Sequence, residues 1–330
     1  MISDTHEKLD EIINLDSIIF DCDGVLIDIR NSYDKTIKET VRYVVNKITN
    51  VDINNFVTST LISSFKRSGG FNNEVDLSYS IIISIIAAIR LKIHYRKFIL
   101  DVVENLDVNG ISSVENYLRS IIHIDDMISE LHYPYKNNII CNIFDELFYG
   151  SKLYSIILKK TPIFCCDGFI KNDKILLTKS LLDILQRKFK RKIAIVTGRG
   201  LVSARYSLRN LLNYFDIQNS VFLDDLDRSF AKPNPNTLIN SILGLKSSSC
   251  LYVGDSMEDL IMVHRANKLG FRVIFCGIFG TDDNKDNKIN LFKKKNAHII
   301  LESINLLPNV LNLDDDEIKH NDQNGEISYL

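Results

Sequence analysis

From about residue 176 onward, short apolar runs at 193–196, 220–223, 250–253, 272–275 and 298–301 alternate with stretches in which apolar residues recur at helical spacing. Parallel strands need long crossovers and bury both faces, so this rhythm predicts an α/β fold: a doubly wound parallel sheet covered by helices. One more run, at 17–20, stands alone near the N-terminus and is followed by Asp21-Cys22-Asp23-Gly24 rather than by a continued strand. It is expected in the same sheet.

Between Ser32 and about Leu158 the pattern changes. Ile37, Val41, Val44, Val45 and Ile48 repeat at helical spacing and strand-like runs are scarce, which predicts an inserted all-α domain. Ser68-Gly69-Gly70, Asn109-Gly110 and Tyr133-Pro134-Tyr135 mark its turns. The expected layout is an α/β core at 1–31 and 160–312, a helical domain at 32–159, and a tail at 313–330 whose polar, acidic sequence predicts disorder.

Several function classes are excluded by composition. A formal charge of −2 gives no basic footprint, so nucleic acid is not an expected partner. The apolar run at 81–89 covers about half a membrane span, so it predicts a buried helix and no membrane association. Six cysteines at 22, 141, 165, 166, 250 and 276 form no Cys-x-x-Cys pair, and the charged N-terminus lacks the features of a signal peptide. Both point to the cytoplasm. The histidines show no pair at metal-ligand spacing, and no glycine-rich nucleotide-binding loop occurs.

Asp21 and Asp23 fall just past the carboxyl end of the first expected strand, the edge where open α/β sheets bind ligands. Gly24 lets the backbone turn away at once. Two carboxylates held close are costly unless a cation joins them. Thr197-Gly198-Arg199, then Lys232-Pro233, then Gly254-Asp255-Ser256-Met257-Glu258-Asp259 follow at the ends of later strands. Asp21, Asp255 and a backbone carbonyl near Asp23 supply hard oxygen ligands of the kind Mg²⁺ demands, and Thr197 and Lys232 are placed to hold phosphate oxygens. Arg199 is expected at the surface or helix start in preference to substrate contact, and Asp259 competes with Glu258 for metal support.

These four stretches, in this order, resemble the four motifs of the haloacid dehalogenase superfamily. The resemblance implies that Asp21 is the nucleophile, Asp23 the general acid and base, Thr197 and Lys232 the phosphate ligands, and Asp255 a metal ligand supported by Asp259. It implies a magnesium-dependent phosphatase that hydrolyses a small phosphorylated metabolite through an aspartyl phosphate on Asp21. The insert right after the first motif is similar to the helical cap of the superfamily's first subclass. Residues 66–73 further resemble a mainly archaeal branch of that subclass. Phe71, Asn72 and Asn73, in the glycine-led turn of the insert, are candidates for substrate contact, as are Gly198 and Arg199.

A phosphomutase using the same intermediate is the enzymatic alternative, and a non-catalytic phosphate-binding protein is the alternative from another class. A receiver module of signalling pathways also combines Asp, Thr and Lys, but it has no helical insert. Substrate identity and oligomeric state leave no trace in the sequence.

Overall fold

The computed structural model describes residues 12, 14–71, 73–135, 138–223, 226–282, 284–313 and 327–329. The chain forms two compact units, one from residues 1–28 and 174–330, the other from 29–173. In the first, β1 (Ser17–Phe20), β4 (Ile193–Thr197), β5 (Val221–Phe222), β6 (Cys250–Gly254), β7 (Val273–Ile278), β8 (Ile299–Leu301) and β9 (Ile327–Tyr329) form one sheet in the order β5-β4-β1-β6-β7-β8-β9. The β5 to β8 pairings are all parallel, and β9 alone runs antiparallel, against β8. A separate two-stranded ribbon pairs β2 (Ile27–Asp28) with β3 (Lys174–Ile175).

The expected α/β sheet is therefore present, and β1 is central as its continuous apolar run requires. All residues of β1, β4 and β6 are buried, which is the burial of strands covered on both faces. β1 lies between β4 and β6, with Ile18 opposite both Ile193 and Leu251. The residues that follow these three strands consequently meet at one edge. At the other edge, Asp16 accepts hydrogen bonds from Ser247, Ser248 and Lys192, which ties the starts of the same strands together.

The helical unit contains helices Tyr33–Thr49, Ser59–Lys66, Glu74–Arg90, Tyr95–Glu104, Ile111–Arg119, Asp125–Leu131 and Ile139–Leu158. Glu74–Arg90 is buried without interruption from Leu77 to Ala88, because Tyr33–Thr49, Tyr95–Glu104 and other helices surround it. A helix apolar on every side belongs in such a core. Among the described residues no helix is long and apolar enough to cross a membrane.

Two boundaries differ from the sequence expectation. Residues 160–173 pack with the helical unit rather than the α/β core. The fully buried carboxylate of Glu146 accepts from the backbone N–H groups of Ile163 and Phe164, and Ser151 bonds the backbone of Phe164 and Cys166. These bonds fold the segment back onto Ile139–Leu158, which kinks at Gly150 where φ is +75°. The tail differs too: Ile327–Tyr329 adds a strand to β8 where polar composition predicted disorder, while the rest of 314–330 lies outside the described residues.

Two residues nominated for substrate contact have structural roles in the helical unit. Phe71 is buried in the core of the helical unit, its ring 5.4 Å from that of Phe65 at 69°. Asn73 caps the helix Glu74–Arg90 by accepting from the N–H groups of Val75 and Asp76, which is the ordinary work of an asparagine before a helix. Asn72 lies outside the described residues. Phe71→Ala is expected to cost about 3–5 kcal/mol of stability through the cavity it leaves. Urea unfolding checks this, and a loss below about 1 kcal/mol would show that the ring is not a core element.

Candidate active site

Asp21 emerges from β1 with its N–H donating to Val253 O at 2.8 Å, so pairing with β6 fixes its backbone. Its Oδ1 accepts from the N–H of Cys22 at 2.7 Å and lies 3.0 Å from Lys232 Nζ. Gly24 then turns the chain at φ +75°, and a Cβ there would stand 2.3 Å from Asp255 Oδ2. Glycine is required twice over, for conformation and for the approach of a second carboxylate.

Lys232 is the hub of the cluster. Its side chain is fully buried, and its Nζ donates to Asp259 Oδ1 at 2.7 Å while pairing with Asp21. Burial opposes its charge, but Asp21 and Asp259 outweigh that and hold its pKa well above the ordinary lysine value. Asp259 shows the reverse balance: burial would raise its pKa, yet Lys232, Ser256 and Tyr252 hold it below the usual carboxylate range.

Asp259 occupies the third position of the helix Met257–Lys268. There it completes a capping box with Ser256, and its Oδ2 accepts from Ser256 Oγ at 2.7 Å and from the Asp255 N–H at 3.2 Å. The hydroxyl of Tyr252 lies 2.9 Å from Asp259 Oδ1 and 3.0 Å from Val196 O. Glu258 is buried but stands outside this constellation.

Ligand oxygens from Asp21, Asp255 and Asp259 come within 4.8 Å of one another. Hard carboxylate oxygens packed this closely suit magnesium. Both oxygens of Asp259 are already committed to Lys232, Tyr252, Ser256 and the Asp255 N–H. Asp21 and Asp255 have fewer such commitments and could offer an oxygen to a cation. Burial pushes Asp21 up to about 8, helped by Asp259, Asp255 and Asp23 against the pull of Lys232. A cation at this place would relieve that cost.

The remaining expected residues lie around the same edge. Thr197 ends β4, fully buried, and its Oγ1 accepts from the Arg199 N–H at 3.2 Å. Gly198 follows it, half-buried. Arg199 departs from expectation. It is 2% exposed rather than on the surface, and its Nε donates to Asp23 Oδ1 at 2.8 Å. The carboxylate of Asp23 thus faces Arg199 and stands outside the three-acid group.

Sequence reasoning missed two residues. Lys288, on the helix Lys285–Lys294, donates to Asp255 Oδ2 at 2.9 Å and lies 3.7 Å from Asp282 Oδ2. Only its place in the first turns after β7 hinted at the site. Tyr252 was read as one apolar strand residue among others, although a buried tyrosine needs a partner for its hydroxyl.

The residues at 173–267 match the family model described as haloacid dehalogenase-like hydrolase. An X-ray structure from the Northeast Structural Genomics Consortium aligns over 93% of this chain and 100% of its own, with a TM-score of 0.60 and 18% identity. A conserved haloacid dehalogenase-like protein of unknown function from Agrobacterium tumefaciens aligns over 91% and 98%, with a TM-score of 0.45 and 15% identity. A hydrolase from Pseudomonas syringae aligns over 90% and 98%, with a TM-score of 0.46 and 15% identity. No curated protein matches the chain. The family match is confined to residues 173–267, and the likeness to the first structure is one of fold.

Two outcomes follow from this geometry. Burial and the neighbouring acids favour the protonated form of Asp21 in the folded metal-free protein more than in the unfolded chain, against the pull of Lys232. That contribution to stability is complete below about pH 4 and is lost as pH rises towards 8. Mg²⁺ is therefore expected to raise the melting temperature more at pH 8 than at pH 6, and equal shifts would contradict the assignment. Gly24→Ala, which drives a methyl into Asp255 from a left-handed backbone, is expected to cost more than about 1 kcal/mol and to abolish the Mg²⁺-induced shift.

Proposed function

We propose that the chain is a magnesium-dependent phosphatase that hydrolyses a small phosphomonoester through a phosphoryl group carried on Asp21. The observation that carries this reading is the buried Lys232 between Asp21 and Asp259, with Asp255 beside them at the carboxyl edge of the sheet. A cluster with more acids than lysines suits a bound cation plus an anionic group better than it suits a structural core.

In this reading Asp21 attacks phosphorus in line. Its Oδ1 is held by the Cys22 N–H and Lys232, so Oδ2 is the attacking oxygen. Lys232 and the Thr197 hydroxyl bind phosphoryl oxygens and offset the charge that develops on them. Asp23 gives a proton to the leaving alkoxide and then takes one from the water that cleaves the aspartyl phosphate. Asp21, Asp255 and a carbonyl near Asp23 would hold magnesium, with Asp259 as support, and the ion would supply positive charge to the transferring group. The helical unit at 29–173, inserted directly after Asp21 and Asp23, supports placing the chain in the superfamily's first subclass, and the loop at 66–73 supports the mainly archaeal branch. Free cysteines throughout support a cytoplasmic protein.

The test is release of inorganic phosphate from a broad panel of phosphorylated metabolites with Mg²⁺ present. At least one ester should be hydrolysed, chelator should stop the reaction, and Asp21→Asn should lower turnover by about a thousandfold or more. Release of phosphate, rather than an isomerised sugar phosphate, distinguishes hydrolysis from mutase chemistry. Activity that survives Asp21→Asn would refute the reading.

A further inference from the structure

Arg199 is among the largest fully buried side chains in the protein, and a charge placed that deep needs partners on both ends. Its Nε donates to Asp23 Oδ1 at 2.8 Å, across 176 positions of sequence, and its Nη1 donates to Ser207 Oγ at 3.0 Å. Ser207 is the penultimate residue of the helix Leu201–Leu208. The backbone of Arg199 is fixed as well, because its N–H donates to Thr197 Oγ1 at the end of β4. The guanidinium therefore spans from a helix to the carboxylate of Asp23, held at two points, and the backbone N–H adds a third anchor.

We infer that Arg199 is a positioning residue for Asp23, not a ligand of the substrate. The inference rests on the proposed phosphatase reaction, in which Asp23 must present one carboxyl oxygen to the leaving group and later to water. A carboxylate in a short loop has two free torsions, and a hydrogen bond to a planar donor removes that freedom. Lysine could not do the same work, since one ammonium on a flexible stem cannot reach Ser207 and Asp23 with a fixed angle between them. Two donors of Arg199 are directed at protein groups, Nε at Asp23 and Nη1 at Ser207.

A double-mutant cycle tests this role, using an alkyl phosphate that the unmodified protein hydrolyses. Arg199→Met is expected to lower kcat about tenfold or more with KM changed less than about twofold, because ground-state binding does not involve the side chain. In an Asp23→Asn background the same substitution should cost less than about twofold, since its effect passes through Asp23. Ser207→Ala, which removes only the far anchor and spares the fold, should give a smaller kcat loss that is likewise absent when Asp23 is Asn. Arg199→Lys should recover little. A raised KM at unchanged kcat, or equal losses in both backgrounds, would overturn the inference. No turnover in the unmodified protein would instead overturn the proposed reaction, so the two failures are distinguishable.

Discussion

The ion pairing of Lys232 with Asp21 and Asp259 is the constraint around which the α/β unit is arranged. An ammonium stripped of water is costly unless its partners are close and otherwise satisfied, and removing one partner of such a group costs about 3–5 kcal/mol. Asp259 meets that condition through the capping box of its helix and the hydroxyl of Tyr252. Asp21 meets it through the Cys22 N–H and through β1, whose pairing with β4 and β6 sets where the carboxylate emerges. Gly24 leaves room for Asp255 to join. Sheet order, a helix cap and one glycine thus converge on one site.

The same packing explains a division of labour among the acids. Asp259 is saturated by hydrogen bonds and serves its neighbours, Asp255 is held from outside by Lys288, and Asp23 is turned towards Arg199. Burial and the neighbouring acids disfavour the ionised form of Asp21, whereas Lys232, Ser256 and Tyr252 favour that of Asp259. Groups whose environments push their charges apart in this way are the ones that take different chemical roles.

Much of this was legible in the sequence. The apolar runs located the strands of the parallel sheet, and Asp21 and Asp255 directly follow β1 and β6 while Thr197 ends β4, as a ligand-binding edge requires. What escaped depended on partners distant in sequence. Burial of Arg199 follows from Asp23, 176 positions away, and nothing local announces it. Lys288 reaches Asp255 from a helix whose sequence is otherwise solvated and basic. Residues 160–173 join the helical unit through the buried carboxylate of Glu146, a bond that neither periodicity nor composition reveals. Phe71 and Asn73 were given a functional reading because they follow a glycine turn, but a buried ring and a helix cap leave the same trace.

The most direct measurement is to trap the phosphoryl group. Asp23→Asn, given an aryl phosphate whose leaving group barely needs a proton, retains the attacking carboxylate and lacks the base that clears it. The account predicts a rapid burst of the phenol and an acid-stable mass increase of one phosphoryl group, mapped to the peptide that contains Asp21. A burst with no modified peptide, or a phosphoryl group on any residue other than Asp21, would contradict it.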